Sequence, residues 1–376
     1  MTTLQDLYEL GGQSPWLDNL RRDYLRNGHL ADLVSQGIRG VTSNPTIFAN
    51  AIEDDDDYDE QLYDLLPEKS VEDAYWELVT EDIRSALEVL RPVHESSRGV
   101  DGYVSLEVAP ALAHDERATV EAARSLHERI AAPNLFVKVP ATREGVSAIR
   151  TLVSEGRSIN VTLIFGLERY REVMEAYISG LEALLESGQG NLAAVRSVAS
   201  FFVSRVDTEV DRRLELLASA AAPAEADALL SLRGQAAVGQ AREAYRMFKE
   251  SFSGPRWEAL AREGAFVQRP LWASTSTKNP AYPDLAYVET LIGPDSVNTM
   301  PDKTVEAFLD HGRVARTIDA DPDAGSRVIE RLGAAGIDME DVAATLEAEG
   351  VASFEKSFDE LMQVLSSKAA EKGARS

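Results

Sequence analysis

Eight short apolar segments, separated by longer stretches with helical spacing, constrain the fold of this sequence more than any other feature. They are rich in β-branched residues and almost continuously apolar, which is typical of parallel strands buried on both faces. They lie at 14–20, 37–45, 102–110, 134–142, 158–166, 195–205, 266–275 and 295–301. Alternating strands and helices predict an α/β protein, and eight units fit a (β/α)8 TIM barrel with additional helices. An open doubly wound sheet is the alternative, but no GxGxxG motif follows a strand.

Two stretches extend beyond eight strand–helix units. Residues 217–254 are alanine-rich with a helical pattern, so they predict a helical insertion between the sixth and seventh strands. Residues 322–372 predict C-terminal helices with one apolar stripe. The stripe comprises Val351, Phe354, Phe358, Leu361, Met362 and Leu365. We interpret it as a helix packed on the barrel exterior, with a dimer surface as the alternative, and expect residues 1–376 to form a single domain.

Composition excludes several classes of function. The formal net charge of -25 argues against non-specific binding to nucleic acid or to an anionic membrane. The absence of cysteine excludes disulfides, thiolate catalysis and Fe–S clusters, and the five histidines show no HxH or HExxH spacing. We therefore expect neither a metal nor a cofactor. Without a secretory signal or a membrane-spanning run, we expect a cytoplasmic protein, either a monomer or a homodimer.

One lysine interrupts an apolar strand segment. In "NLFVKVPAT", Lys138 is flanked by Val137 and Val139. A lysine is seldom buried without a partner or a chemical task. Either its side chain points outward and extends its head to solvent, or its uncharged amine acts as a nucleophile in a pocket. The segment alone does not decide between these interpretations.

Most of the other strand segments also carry a polar residue near their carboxyl end. The set comprises Asp18, Asn44, Glu107, Lys138, Asn160, Thr162, Ser200 and Arg205. In a barrel this end forms the active-site face, so the side chains are expected to converge on one axis. The alternative is a buried network in which the groups satisfy one another. The number of such residues favours a site.

A lysine and two carboxylates in one pocket indicate Schiff-base chemistry. Burial disfavours the charged form of a lysine, so the amine of Lys138 can attack a carbonyl, and the resulting iminium accepts electrons when a neighbouring C–C bond breaks. Glu107 suits proton transfer during loss of water, with Thr162 holding an ordered water. Asp18 suits the base that deprotonates the hydroxyl which becomes a carbonyl.

The remaining polar residues suit recognition of a phosphorylated polyol. Asn44 and Asn160 can hydrogen-bond to sugar hydroxyls. Arg205 can bind a phosphate through two parallel hydrogen bonds, and Lys278 can add a second positive charge.

The sequence resembles the transaldolase family in "GQSPWLDNLRRDYL", "GVTSNPTIF", "NLFVKVPAT", "SINVTLIFG" and "SVASFFVSRVD". The motifs occur in family order over nearly the whole chain, and the match is closest to the longer bacterial transaldolases, some of which are fused to glucose-6-phosphate isomerase. The resemblance implies a cofactor-free transferase of the pentose phosphate pathway. It would move a dihydroxyacetone unit from sedoheptulose 7-phosphate to glyceraldehyde 3-phosphate, giving erythrose 4-phosphate and fructose 6-phosphate.

The resemblance also implies roles for individual residues. Lys138 falls at the family's Schiff-base lysine, and Asp18 and Glu107 at its acid/base carboxylates. Asn44, Asn160 and Thr162 fall at its hydroxyl- and water-binding positions. Ser200 and Arg205 keep the family's serine-to-arginine spacing, and the arginine contacts phosphate. Shorter family members read "ASFRN" where this chain reads "ASTSTKN", so the second phosphate-binding position falls on Lys278, with Ser274 as a further candidate.

Two alternatives remain at this point. Another Schiff-base aldolase, such as a fructose-6-phosphate or deoxysugar-phosphate aldolase, would share the chemistry on the lysine but release the enamine by hydrolysis. A non-catalytic sugar-phosphate binding protein is more remote, because buried charges are costly to keep for binding alone.

Overall fold

The computed structural model describes residues 2–54, 56–188 and 190–375. Eight parallel strands form one closed barrel in which each strand pairs with the next and β8 pairs with β1. The strands are β1 Gln13–Leu17, β2 Gly40–Thr42, β3 Tyr103–Glu107, β4 Leu135–Pro140, β5 Ile159–Ile164, β6 Ser197–Phe202, β7 Gln268–Ala273 and β8 Ser296–Met300. Every strand lies within one predicted segment or within one residue of it, so the predicted TIM barrel is confirmed and the open sheet is wrong.

Helices connect the strands and surround the barrel. They are α1 Thr3–Glu9, α2 Arg22–Arg26, α3 His29–Gln36, α4 Pro45–Asp54, α5 Asp59–Leu65, α6 Val71–Ser96, α7 Glu116–Ile130, α8 Arg143–Ser154, α9 Leu167–Ser187, α10 Ser204–Ala220, α11 Pro223–Leu230, α12 Ala236–Ser251, α13 Gly254–Arg262, α14 Ala286–Glu289, α15 Asp302–His311, α16 Ala324–Ala334 and α17 Met339–Arg375. Side-chain caps fix where several of them begin. Thr142, for example, accepts a hydrogen bond from the backbone N–H of Gly145 directly after β4. The predicted insertion at 217–254 is helical, formed by the end of α10, α11 and α12.

Aromatic rings fill the middle of the barrel. The Trp16 indole occupies the space that a side chain at Gly40 would need, since a Cβ there would lie 2.3 Å from the ring. Trp16 stacks on Phe136, which stacks on Tyr103. Trp16 and Phe136 lie on β1 and β4, which are not neighbours, so their contact crosses the interior. The barrel is therefore a packed core, and only its carboxyl-terminal end is open to substrate.

The last helix, α17, lies across that end. It packs on α4, α6 and β5. Val351, Leu361 and Leu365 of the predicted stripe are buried, and Phe354 lines the cavity that contains Lys138. The stripe faces the barrel, and Phe354 also forms part of the cavity wall, a role that the interpretation as a helix packed on the barrel exterior did not include. Within the described residues, no helix has the length and apolar character needed to cross a membrane.

Candidate active site

A cavity of about 180 Å³ opens at the carboxyl-terminal end of the strands. Its lining comprises Asp18, Thr42, Asn44, Lys138, Thr162, Ser200, Phe202, Arg205, Ala273, Ser274, Ser276, Lys278, Thr299, Pro301 and Phe354. Eight of the ten residues proposed from the sequence line it. The other two, Glu107 and Asn160, lie beside it and contact lining residues.

Lys138 points into the barrel rather than to solvent. Its side chain is buried, with 4% of the residue surface exposed, so the outward orientation considered from the sequence is wrong. Nζ donates a hydrogen bond to the backbone carbonyl of Ser43 at 2.8 Å and lies 3.0 Å from Oε2 of Glu107. The amine is thus held at the cavity floor by two groups, the Ser43 carbonyl that directly follows β2 and the Glu107 carboxyl group at the end of β3.

The pKa values of both carboxyl groups near Lys138 are raised, which favours their neutral forms. For Glu107, burial raises the pKa and outweighs the opposing attraction of Lys138. For Asp18, burial also raises the pKa against the attraction of Lys138 and a hydrogen bond that Thr42 Oγ1 donates to Oδ1 at 2.8 Å. Carboxyl groups whose ionised forms are disfavoured are well suited to exchange protons with a substrate near neutral pH.

Thr162 and Asn44 each offer an unused polar group to the cavity. Thr162 Oγ1 is buried and has no hydrogen-bond partner among the described residues. The residue after it, Leu163, has a φ of 58° where the pairing of β5 with β6 changes register, and such strain is frequent at functional sites. Asn44 Oδ1 accepts from the backbone N–H of Ile47, so its Nδ2 is the group that can donate to a ligand.

Asn160 occupies a supporting position. Its Nδ2 donates to Ser105 Oγ at 3.0 Å, and its Oδ1 accepts from Ser200 Oγ at 2.7 Å. Asn160 is fully buried and is absent from the cavity wall, whereas Ser200 lines it. The bond to Ser105 fixes the Asn160 amide, and the Ser200 hydroxyl donates its proton to that amide. The Ser200 oxygen can therefore accept a hydrogen bond from a ligand in the cavity.

Two cations lie at the outer part of the cavity. Arg205 was expected in the sixth strand segment, but it is the second residue of α10, because β6 ends at Phe202. Arg205 forms no ion pair with any carboxylate of the described chain, and burial lowers its pKa. Lys278 Nζ donates to Ser276 Oγ, and its pKa is lowered by burial and by repulsion from Arg205. Ser274 has a φ of 57° and shares a hydrogen bond with Ser204, which leaves it less available to a ligand.

Several residues of the site were not found from the sequence. Thr42 joins Asp18 to Thr299 of β8 through hydroxyl contacts, the Ser43 carbonyl accepts from Lys138, and Phe354 arrives from α17. Thr42 and Ser43 directly precede Asn44 in "GVTSNP", so the run of polar residues at the end of that strand could have indicated them as site residues. The sequence around Phe354 does not indicate a place in the site, because the residue has the spacing of an ordinary member of the apolar helix stripe.

A larger groove lies elsewhere and has a different character. It has a volume of about 560 Å³ between α10, α11 and α16, and alanine and leucine form most of its wall. Within the chain as described, no group of three His, Asp or Glu side chains is placed to hold a metal ion. The smaller cavity, in contrast, brings together the Lys138 amine, two carboxyl groups and the two cations Arg205 and Lys278.

The closed parallel barrel and the polar cavity at the carboxyl ends of its strands place the protein among the (β/α)8-barrel enzymes. The model of the transaldolase/fructose-6-phosphate aldolase family matches residues 15–365. The chain therefore belongs to this family, as its sequence motifs predict.

Curated relatives resemble the chain over almost its full length. A transaldolase of Frankia alni is 48% identical over 365 residues, covering 96% of both chains. A transaldolase of Saccharopolyspora erythraea is 49% identical over 370 residues, covering 97% of this chain and 98% of its own. A transaldolase of Thermobifida fusca is 49% identical over 362 residues, covering 96% of both.

Proposed function

We propose that the protein is a transaldolase that transfers a dihydroxyacetone unit between sugar phosphates of the pentose phosphate pathway. The donor would be sedoheptulose 7-phosphate and the acceptor glyceraldehyde 3-phosphate, giving erythrose 4-phosphate and fructose 6-phosphate. The observation that carries the proposal is the buried Lys138 amine, 3.0 Å from Glu107, in a cavity also lined by Asp18 and Arg205. Membership of the family and the transaldolase relatives support it.

In the first half of the reaction, Lys138 Nζ adds to the C2 carbonyl of the donor and forms a carbinolamine. Glu107 transfers the protons with which the C2 oxygen leaves as water, and an iminium remains on Nζ. The unpartnered hydroxyl of Thr162 can hold the water that relays these protons. The raised pKa of Glu107 favours this exchange, because its carboxyl can both give and take a proton.

In the second half, Asp18 takes the proton of the C4 hydroxyl. The C3–C4 bond breaks, its electrons reach the iminium nitrogen to form an enamine, and the C4 alkoxide becomes the aldehyde of the first product. The enamine then attacks the acceptor aldehyde, Asp18 returns its proton to the new hydroxyl, and water releases the ketose from Lys138. Thr42, which hydrogen-bonds Asp18 Oδ1, orients the carboxyl group for both proton transfers.

Substrate recognition follows from the remaining lining residues. Asn44 Nδ2 and the Ser200 hydroxyl face the space where donor hydroxyls lie, with Ser200 held by Asn160. Arg205 and Lys278 supply positive charge for the terminal phosphate. Ser274 is the lesser candidate for this role. All chemistry in this scheme uses side chains alone, so the proposal includes no cofactor, and we place the enzyme in the cytoplasm, where sugar phosphates are made, as a monomer or a homodimer.

Reductive trapping tests the proposal. Borohydride added with fructose 6-phosphate should leave a stable three-carbon adduct on Lys138, which mass spectrometry of the peptide detects. A Lys138→Met variant is the matched control and should remain unlabelled. An unmodified Lys138 peptide in the wild-type protein after turnover would contradict the Schiff-base mechanism.

A coupled assay separates the proposal from the nearest alternative. With sedoheptulose 7-phosphate as donor, a transaldolase releases erythrose 4-phosphate in quantity only when an acceptor aldehyde is present. A Schiff-base aldolase releases it and free dihydroxyacetone without an acceptor. A non-catalytic sugar-phosphate binding protein gives no product in either assay.

A further inference from the structure

The two cations of the cavity come from different parts of the chain and repel each other. Arg205 is the second residue of α10, whereas Lys278 lies in the segment that follows β7. Repulsion from Arg205 contributes to the lowered pKa of Lys278, so the two charges lie within electrostatic range. The Lys278 segment contains the turn in which Tyr282 N–H donates to the Asn279 carbonyl. Contacts elsewhere must hold this segment against α10.

Two aspartate–tyrosine pairs make that connection. Asp207 and Asp211 lie four residues apart on α10, so they share one face of the helix. Tyr287 donates its hydroxyl to Asp207 Oδ2 at 2.7 Å, and Tyr282 donates to Asp211 Oδ2 at 2.5 Å. Burial raises the pKa of Asp207 to about 6, against the hydrogen bonds that the Ala237 N–H and the Tyr287 hydroxyl donate to its carboxyl oxygens. We call these four side chains the Asp–Tyr clasp.

The helical insertion completes the clasp from the other side. Its backbone N–H groups at Gly234 and Ala237 donate to the second oxygens of Asp211 and Asp207, at 2.9 and 2.8 Å. Gly234 has a φ of 69°, and a Cβ there would lie 2.8 Å from the Tyr282 ring. The insertion therefore packs directly against the tyrosine that follows Lys278.

We propose that Asp207, Asp211, Tyr282 and Tyr287 are positioning residues that fix the Lys278 segment to the helix bearing Arg205, and that the 217–254 insertion supports them. This inference rests on the proposed function, in which the two cations bind the substrate phosphate. The clasp touches neither the nucleophile nor the carboxyl groups at the cavity floor. It therefore acts on phosphate binding alone and leaves the chemistry at Lys138 unchanged.

Trapping with two sugars isolates this role. Fructose 6-phosphate and dihydroxyacetone should leave the same adduct on Lys138, but only the first carries a phosphate. In the Tyr282→Phe and Tyr287→Phe variants, the half-saturating concentration of fructose 6-phosphate should rise about tenfold, as expected for loss of a hydrogen bond to a charged group. The value for dihydroxyacetone should stay at the wild-type level. Gly234→Ala, which displaces the Tyr282 ring without deleting a hydrogen bond, should show the same selective rise.

Double variants and a matched control complete the test. In a Lys278→Met background, Tyr282→Phe should cause little further rise, because both changes act on one cation. Tyr177→Phe removes a buried hydroxyl that donates to the Phe266 carbonyl, away from the cavity, and should change neither value. Three results would overturn the inference. The half-saturating concentration could rise equally for both sugars, or it could not rise at all. It could also rise by the full amount again in the Lys278→Met background. Failure of the wild-type protein to form an adduct with either sugar would instead overturn the proposed function, and the inference with it.

Discussion

Both ends of the barrel bury charged side chains, but the pKa values of the carboxyl groups are shifted in opposite directions at the two ends. At the amino-terminal end, Asp101 is fully buried between Arg39 and Arg269. Burial favours its neutral form, yet attraction to Arg269 and Arg39 outweighs burial and the pKa is lowered. At the carboxyl-terminal end, burial prevails and the pKa values of Asp18 and Glu107 are raised.

The number of partners explains the difference. Asp101 accepts hydrogen bonds from Ser14 Oγ, Trp16 Nε1, Arg39 Nε and Arg269 Nη2, so both carboxylate oxygens are satisfied. Among the residues that the structure describes, the one cation paired with Glu107 is Lys138, at 3.0 Å. Partial compensation leaves a buried carboxylate costly to keep ionised, whereas full compensation does not. The comparison thus separates a fully compensated ion cluster from a partly compensated one within the same barrel, and the proposed function assigns the reaction to the second.

The largest expected effect is the loss of activity in Lys138→Met. Transfer activity should fall by at least about 10⁴-fold, as for removal of a nucleophile that acts together with its acid and base. The melting temperature should change little, because burial already raises the pKa of Glu107, so its carboxyl can be neutral when the Lys138 amine is absent. Steady-state assays and thermal unfolding measure the two quantities. A large loss of stability would mean that the carboxyl-terminal cluster is structural, like the one around Asp101.

Replacing Asp18 should separate the two halves of the reaction. In Asp18→Ala, cleavage of the donor should slow by about 10² to 10⁴-fold, the range for loss of a general base. Formation of the adduct from dihydroxyacetone should survive, because Lys138 and Glu107 remain in place. Rapid-quench trapping with both sugars measures the two steps. Normal cleavage in the variant would show that the assigned role is wrong.

Asp101→Asn should affect stability and not the reaction. It leaves Arg39 and Arg269 without their carboxylate, which should cost about 3 to 5 kcal/mol at neutral pH. Because the folded-state pKa of Asp101 lies below the unfolded one, its contribution is present above the unfolded pKa and disappears as the pH falls through the folded one. The stability gap between wild type and variant should therefore shrink in acid, as urea unfolding at a series of pH values would show. A constant gap, or a lower kcat of the folded variant, would contradict this division.

A smaller effect is expected where α17 closes the cavity. Phe354→Ala should admit water to the enamine and lower the ratio of transfer to hydrolysis by roughly severalfold, since exclusion of water protects reactive intermediates. Free dihydroxyacetone released per transfer event is the quantity to measure. The control is Phe308→Ala, which alters a buried ring of α15 outside the cavity lining and should leave the ratio unchanged.

Local pattern predicted much of this structure. The eight strand segments were found because β-branched apolar runs and intervening helical spacing are local signals, and each strand lies within one of these segments or within one residue of it. Lys138 and Glu107 were found because a charge within such a run is anomalous. Arg205 was misplaced onto a strand because "FFVSR" continues the apolar run, whereas the helix begins at Ser204. That residues 1–376 form one domain, and the roles of the site residues, stay predictions.

What the sequence did not reveal depends on contacts between distant residues. Nothing in the sequence near Asp101 indicates that Arg269 reaches it across the barrel, 168 residues away. The Thr42–Thr299 contact spans 257 residues, and Phe354 reaches the cavity only because α17 packs on α4 and β5. The clasp likewise joins α10 to a segment beyond the insertion. Such contacts follow from closure of the barrel, which local patterns do not encode.

The pairing of β1 with β8 has a consequence for a chain emerging from the ribosome. Lys138 is synthesised early, but Thr299, which completes the hydroxyl contacts around Asp18, and Phe354, which walls the cavity, follow much later. Until these late segments dock, the cavity around Lys138 lacks one of its hydroxyl contacts and part of its wall. A nascent chain therefore contains every strand up to β7 before its cavity can be completed, and the whole lining exists only once β8 and α17 are in place.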